Sequence, residues 1–346
     1  MLVNTSVIYA KIPTEYPLPG EHLIVKRDDH FQPTLNDGDI LLRNLCISLD
    51  PYMRGRMRAA DIPSYVPAFE LNKPLETRTV SEVIESKNPA FPVGSIVVGL
   101  ADFSQYAVVR KDKVANLRIL PNARDERIPL SAWVGVLGGP GLTSYASLKA
   151  IGKPKAGETI FISAAAGAVG QLVGQLAKLQ GLRVIGSAGS DDKVAYLKTI
   201  GFDYAFNYKT SKTLDELHKA APNGIDIYFE NVGGETLDAV LTVMNTHGRI
   251  IACGMISQYN TTEKYGVKNL LQVITKRLTM QGFNQAEFAK DYFEDFQRDI
   301  TDLLINKKIV YRVTEVKGIE AGPDALYGML KHGSNTGKLV VHVADL

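Results

Sequence analysis

The sequence predicts an α/β protein in which a doubly wound parallel sheet is joined to a smaller β-barrel-type domain. Three observations carry the prediction. Short β-branched segments punctuated by proline fill the first third of the chain. Strand and helix patterns alternate through the middle, and one strand runs directly into a glycine-containing turn that opens a helix.

In the first third, residues 39–49, 95–100 and 104–109 are short apolar runs bounded by Gly, Asp or Pro, as expected for strands of a barrel-like domain. Residues 63–74 contain Pro63, Pro67 and Pro74, show no clear period and include Tyr65 and Phe69, so they read as a long surface loop suited to substrate contacts. Residues 121–127, beginning Pro121-Asn122, are polar and turn-rich, and the change of pattern after them places a boundary near residue 134. Strands are then expected at 159–163, 183–186, 225–229 and 249–252, with helices at 169–180, 193–200 and 234–244. Alternation at this pitch predicts right-handed crossovers and a parallel sheet covered on both faces. An amphipathic helix at 286–306 leads to a final strand-like pair, 310–316 and 337–343, which looks like the first domain and rejoins it. The expected division is 1–133 with 308–346 for one domain and 134–307 for the other. No internal repeat or low-complexity tract is present.

Composition narrows the function classes. The chain has 346 residues, 45% hydrophobic and 22% charged, enough to build two ordinary cores, and its formal net charge of +2 offers no field suited to nucleic acid or an acidic membrane. The amino-terminal residues lack the basic and apolar regions of a secretion signal, no apolar run approaches the roughly 20 residues that span a bilayer, and the carboxyl-terminal residues form no prenylation motif. Cys46 and Cys253 are the two cysteines, too few and too far apart for a disulfide framework. A cytoplasmic protein is expected.

The sharpest local feature is Ile162-Ser163-Ala164-Ala165-Ala166-Gly167-Ala168-Val169-Gly170. A helix amino terminus presents unpaired N–H groups and the positive end of the helix dipole, so a pyrophosphate rests there when no side chain blocks it. Gly167 permits that approach and Gly170 lets the helix pack on the strand, while Ala165 stands where G-x-G-x-x-G has its first glycine. A tight strand-to-helix turn in any α/β protein has the same outline. About 20 residues on, where an NAD site carries an acid for the ribose, the chain reads Gly186-Ser187-Ala188-Gly189-Ser190-Asp191-Asp192-Lys193. Ser187 and Lys193, with Tyr208 beside them, suit a 2′-phosphate and hence NADP(H). Asp191 and Asp192 are expected to cap the next helix.

With these motifs placed, the chain resembles the medium-chain dehydrogenase/reductase superfamily, and within it the zinc-independent, NADPH-dependent alkenal/one reductases. The likeness runs through Leu49-Asp50-Pro51-Tyr52-Met53-Arg54-Gly55-Arg56, Gly139-Pro140-Gly141-Leu142-Thr143-Ser144-Tyr145, the Ala-Gly turn, Phe206-Asn207-Tyr208-Lys209, Tyr228-Phe229-Glu230-Asn231-Val232-Gly233-Gly234, Cys253-Gly254-Met255-Ile256-Ser257-Gln258-Tyr259 and Asn335-Thr336-Gly337-Lys338. The resemblance implies a Rossmann domain and a GroES-like catalytic domain. It further implies that Gly167, Ala168, Val169 and Gly170 cover the pyrophosphate, and that Lys193 and Tyr208 meet the 2′-phosphate. Asn231, Cys253, Gly254, Ser257 and Tyr259 would line the nicotinamide side, with Phe283, Asn284 and Asn335 also touching the cofactor. A homodimer is implied too. Two departures stand out: Gly139 where relatives commonly have methionine, and Glu230 where they have aspartate.

Zinc alcohol dehydrogenases share this fold, and Cys46 lies where they place a first ligand. None of His22, His30, His218, His247, His332 and His342 sits in a Gly-His-Glu setting after it, so no catalytic metal is expected. Cys46 reads as a buried apolar-like residue, and Cys253 either lines the cofactor loop or ends a strand as a small core residue. Without metal, hydride chemistry rests on positioning and hydrogen-bond donors. Tyr259 is the candidate catalytic hydroxyl, stabilising an enolate oxygen together with the cofactor ribose, or else it packs for shape alone. Tyr52, Tyr65 and Phe69 are candidate substrate contacts. Arg54, with Arg56 and Arg58, would bind a substrate carboxylate or form structural ion pairs. The expected activity is reduction of the C=C bond of conjugated aldehydes or ketones. The rivals are a quinone reductase on the same scaffold and a non-catalytic NADPH-binding sensor.

Overall fold

The computed structural model describes residues 2–120 and 123–346; Pro121 and Asn122 of the expected turn-rich segment lie outside the described residues. Eight strands come first: β1 (Leu2–Tyr9), β2 (Leu23–Phe31), β3 (Ile40–Leu49), β4 (Lys73–Pro74), β5 (Glu76–Ser86), β6 (Ile96–Asp102), β7 (Tyr106–Val109) and β8 (Leu117–Ile119), with the short helix α1 (Met53–Arg56) after β3. Helix α2 (Gly139–Ser147) leads to β9 (Thr159–Ile162), α3 (Gly170–Leu179), β10 (Arg183–Ala188), α4 (Asp191–Thr199), β11 (Tyr204–Asn207), α5 (Thr213–Ala220) and β12 (Ile225–Glu230). Then come α6 (Gly234–Val243), β13 (Met244–Ala252), α7 (Leu271–Thr275), β14 (Thr279–Gly282), α8 (Ala289–Ile305), β15 (Val313–Lys317), α9 (Gly322–His332) and β16 (Lys338–His342). The fold class is the expected one: a parallel Rossmann-type sheet and a separate domain of antiparallel sheets.

Two compact units result, Met1–Gly135 with Val313–Leu346, and Val136–Arg312. The second crossing falls after residue 312 rather than at the expected 307, and the first strand of the closing pair begins at 313 rather than 310, for one reason. Helix α3 holds the segment in place: the Gln175 amide exchanges two hydrogen bonds of 2.7 Å with the backbone of Val310, and Gln171 does the same with Arg312 at 2.9 and 3.1 Å.

In the unit of residues 136–312, six strands run in the order β11-β10-β9-β12-β13-β14, every pair parallel. The chain therefore winds outward in one direction from β9 to β11, returns, and winds the other way from β12 to β14, so the order reverses between β9 and β12. Ligands of such sheets bind at the carboxyl ends of the strands beside this reversal. The strands there are apolar on both faces, and Phe161 stacks between Phe206 and Tyr228 at centroid distances of 5.9 and 5.3 Å.

In the other unit β3 is the organising strand. It pairs with β5 along one edge, and its other edge takes β7 over Ile40 to Arg43 and β16 over Cys46 to Leu49. Two register shifts against β5 bend it. Buried Asn44 ties the layers, donating to the carbonyls of Asp102 and Ser104 at 2.9 and 2.8 Å and accepting from Ser81 at 2.6 Å. The closing strands β15 and β16 are parallel, with α9 between them, where the sequence had suggested only a strand pair.

Asp102, at the end of β6, carries a titration signature. Burial, and then the charge of Glu76, push its carboxyl up to about 6, against partial relief from Lys113 and Lys73. The folded chain thus holds this proton more tightly than the unfolded chain, whose aspartate titrates near 3.9. The fold bears no cost below about pH 4 and the full cost above about pH 6. Asp102→Asn is expected to raise unfolding free energy at pH 7 by about 1–3 kcal/mol. The gain should vanish below about pH 4, measured by denaturant titration across pH; a gain independent of pH would refute the assignment.

Candidate active site

The nucleotide turn leaves β9 at Ser163, whose N–H donates to Phe229 O on β12 at 3.3 Å, while Ala165 N–H donates to Ser187 O on β10 at 2.9 Å. The turn is thereby tied to both neighbouring strands. Ala164 takes a left-handed φ of 48°, uncommon for a residue with a side chain. Gly170 is required by packing: a Cβ there would lie 2.7 Å from Ala165 Cα and O. Gly167, Ala168 and Val169 are the partly exposed residues next to α3, whose first turn holds no acid and whose N-cap is made by no side chain. An uncapped helix start with small residues around it fits a pyrophosphate.

At the adjoining ends of β10 and β11, Ala188 pairs with Asn207, and Tyr208 N–H continues to Ala188 O at 3.1 Å. A Cβ on Gly189 would meet Tyr208 Oη at 3.0 Å and Lys209 Cε at 3.3 Å, so glycine gives these side chains room to fold back over the strand end. Burial, and then the charge of Lys209, pull the Lys193 ammonium below its ordinary range. Two mutually repelling ammonium groups beside a tyrosine are suited to a dianion such as a 2′-phosphate. Lys209 was not singled out from sequence, although it directly follows Tyr208. The structure corrects two other readings. Ser187 is only 2% exposed and joins the turn through its carbonyl, so its hydroxyl is not presented with the lysines. The cap of α4 is Ser190, whose Oγ accepts from Lys193 N, while Asp191 and Asp192 occupy the first turn and Asp191 accepts from Asn207 at 2.8 Å.

Across the reversal, Asn231 is clasped by Ser163: its N–H donates to Ser163 Oγ at 3.0 Å and its amide to Ser163 O at 2.8 Å. The loop after β13 is sewn to the same segment, Cys253 N and Gly254 N donating to Glu230 O, Ile256 N to Asn231 O, and Ser257 N and Oγ to Val232 O. Burial, and then the charge of Glu230, push the Cys253 thiol up to about 12, so it is no nucleophile. Tyr259 folds back over this loop, its Oη accepting from Met255 N at 3.2 Å. Asn284 caps the turn at 285–288 by accepting from Ala286 N at 3.0 Å, and Phe283 packs on Phe288 at 5.5 Å. All these residues follow the carboxyl ends of β9 to β14. Ser163 and Glu230 were not among the candidates; nothing in a serine before an alanine run or a strand-end glutamate marks such roles.

The remaining candidates belong to the antiparallel unit. Tyr52 packs against its main core, and burial raises its hydroxyl pKa. Arg54 does not offer its guanidinium to a carboxylate ligand: it donates to the carbonyls of Glu15, Pro13, Thr14 and Met57. Arg56 is likewise spent on Pro67 O and Glu76, and Arg58 on Gly55, Ile62 and Val66 carbonyls, so carboxylate recognition by this trio is replaced by loop bracing. Tyr65 is 71% exposed at a surface cavity of about 650 Å³ lined also by Ile12, Ile62 and Leu71. Phe69 forms its floor, 6% exposed, edge-on to Tyr9 and 4.1 Å beneath the Arg56 guanidinium. Asn335 braces the turn before β16 by donating to Gly337 O at 2.7 Å. Cys46 is buried and its thiol is pushed up to about 12 by that burial. Among the described residues no group of three or more His, Cys, Asp or Glu side chains is placed to hold a metal ion.

A parallel Rossmann-type sheet with an uncapped helix start after β9 and two lysines near the end of β10 suits a dinucleotide-binding oxidoreductase. Comparison with known proteins agrees. Residues 168–304 match the family model described as zinc-binding dehydrogenase, and residues 9–117 that of an N-terminal domain of oxidoreductase. The chain is 45% identical to a zinc-type alcohol dehydrogenase-like protein of Schizosaccharomyces pombe over the whole of both chains, and 43% identical to the NADP(+)-dependent 2-alkenal reductase of Nicotiana tabacum, covering 99% of this chain and 98% of that one. The crystal structure of CurA from Vibrio vulnificus in complex with NADPH superposes with a TM-score of 0.89 at 38% identity, covering 99% and 100% of the two chains. The chain belongs to the zinc-independent, NADPH-dependent alkenal/one reductases of the medium-chain dehydrogenase/reductase superfamily.

Lys193→Ala is expected to weaken NADPH binding by roughly 10–100-fold, the loss of one charge-assisted phosphate contact, with little effect on NADH. Titrating both nucleotides by intrinsic fluorescence checks this, and equal losses would contradict the lysine's assignment.

Proposed function

We propose that this chain reduces the carbon–carbon double bond of α,β-unsaturated aldehydes and ketones, with Tyr259 as the hydrogen-bond donor to the carbonyl oxygen. The observation that carries the reading is the Tyr259 hydroxyl, anchored over the 253–255 backbone on the same stitched loop pair as Asn231. The likeness to the tobacco 2-alkenal reductase supplies the substrate class.

When bound, NADPH supplies the hydride, which goes to the β-carbon. The chain's own part is electrostatic. As the β-carbon gains hydride, charge moves through the conjugated system onto the carbonyl oxygen, and a donor already fixed in place stabilises that charge with no reorganisation. The Tyr259 hydroxyl is such a donor, held by Met255 N–H. A proton from water then completes the α-carbon, leaving the C=O intact. Asn231, clasped by Ser163, holds the nicotinamide side. Within the antiparallel unit, Tyr65 and the Phe69 floor line a cavity that suits an apolar group, with Tyr52 packed on the core nearby in sequence.

We place the enzyme in the cytoplasm, in keeping with its two free cysteines, and among the described residues no helix is long and apolar enough to cross a membrane. Its assembly is a homodimer formed through β14, the end strand of the parallel sheet, whose four residues are all exposed beside the exposed Leu270, Leu271 and Ile274 of α7 and its cap. An open strand edge next to apolar side chains favours pairing with a second copy.

Tyr259→Phe is expected to lower kcat/KM for a small enone by about 10–1000-fold while NADPH affinity stays within a factor of about two. Unchanged turnover would remove the tyrosine from the mechanism, and an allylic alcohol as product would overturn double-bond reduction. Ile274→Glu with Met280→Lys is expected to give monomers by sedimentation where the parent chain dimerises.

A further inference from the structure

Glu230, at the end of β12, is wholly buried and has no part in the chemistry above. Its Oε1 gathers four donors: Val232 N at 2.6 Å, Tyr228 Oη at 2.7 Å, Gly233 N at 2.8 Å and Ser163 Oγ at 3.3 Å. Its main-chain carbonyl accepts from both Cys253 N and Gly254 N at 3.0 Å. One residue therefore joins three segments: the nucleotide turn through Ser163, the Asn231 loop through the two N–H groups after it, and the loop that ends at Tyr259. Its second carboxyl oxygen, Oε2, is buried without a hydrogen-bond partner.

A buried carboxyl with one oxygen unsatisfied is costly, and burial holds its pKa above the ordinary glutamate range despite the bonds to Oε1. No cation is paired with it in an ion pair among the described residues. An apolar residue of similar volume would relieve the orphaned oxygen but strand the two N–H groups and two hydroxyls that meet Oε1. What the carboxyl does supply is a single point at which two backbone N–H groups and two hydroxyls converge, which sets the turn 231–233 in one conformation.

We propose that Glu230 is a positioning residue for the nicotinamide half of NADP(H), acting through the Asn231 and 253–259 loops and leaving the adenosine half untouched. The proposal rests on the assignment of those two loops to the nicotinamide side. It predicts a split between two ligands that share the adenosine and the 2′-phosphate but differ in the nicotinamide: NADPH, and adenosine 2′,5′-bisphosphate.

Calorimetric titration of the parent chain, Glu230→Gln, Glu230→Ala and Glu230→Asp with both ligands tests it, alongside circular dichroism for folding. Glu230→Gln and Glu230→Ala are expected to bind the bisphosphate within about twofold of the parent and NADPH about tenfold more weakly. Glu230→Asp, which keeps the carboxylate, should recover most of the loss. Should Glu230→Ala not fold, the isosteric Glu230→Gln carries the comparison. Unchanged NADPH affinity in Glu230→Gln overturns the proposal, as does an equal loss of both ligands, which would mark a merely structural role. A parent chain that binds NADPH no better than the bisphosphate overturns instead the loop assignment beneath it.

Discussion

Where β9 and β12 lie side by side, their chains leave in opposite directions, and the backbone groups at their ends lose the neighbours that a continuing sheet would provide. Ser163 resolves this constraint. Its hydroxyl accepts the Asn231 N–H and meets the Tyr228 and Glu230 side chains, while its carbonyl accepts the Asn231 amide. The same residue begins the turn into α3. One small side chain thus sets the spacing between the turn into α3 and the loop that begins at Asn231. A larger residue would push the two apart, and an apolar one would strand buried donors and acceptors.

Around this seam the polar groups are sorted by what each must do. Near the carboxyl end of β10 the charge of Lys209, after burial, lowers the pKa of the Lys193 ammonium. The carboxyl of Glu230 is withdrawn into the interior, where it orders backbone and touches solvent nowhere. Both thiols have high pKa values and are chemically quiet. Neither thiol is poised as a nucleophile, consistent with a reductase of electrophilic conjugated carbonyls.

Much of this was legible in the sequence, for physical reasons. Strands buried on both faces, such as Ile225–Glu230, are largely apolar runs, and the glycine-containing turn after β9 marks where a strand gives way to a helix. The resemblance across ordered motifs identified the family. What remained hidden involves polar residues in unexpected surroundings. Thr77, Thr79 and Ser81 of β5 look solvent-facing yet are buried and bonded to β3 and to one another. The arginines after Pro51 look like an anion site and instead brace carbonyls. Gln171 and Gln175 resemble surface helix residues, and their hold on Val310 and Arg312 moved the domain crossing. In each case hydrogen-bond partners distant in sequence decide the role, and no local pattern records them.

The pairing of β16 with β3 has a consequence for how the molecule comes into being. Leu339 to His342 must meet Cys46 to Leu49, and the buried Lys338 ammonium must reach Asp50 and the Leu49 carbonyl, across nearly the full chain. On the ribosome, the parallel-sheet unit is complete in sequence once residue 312 has emerged, whereas the unit begun first still lacks its central neighbour. Synthesis order and completion order are therefore reversed: the unit begun first is the one that waits, with the Cys46–Leu49 stretch of β3 open beyond β7, until β16 arrives.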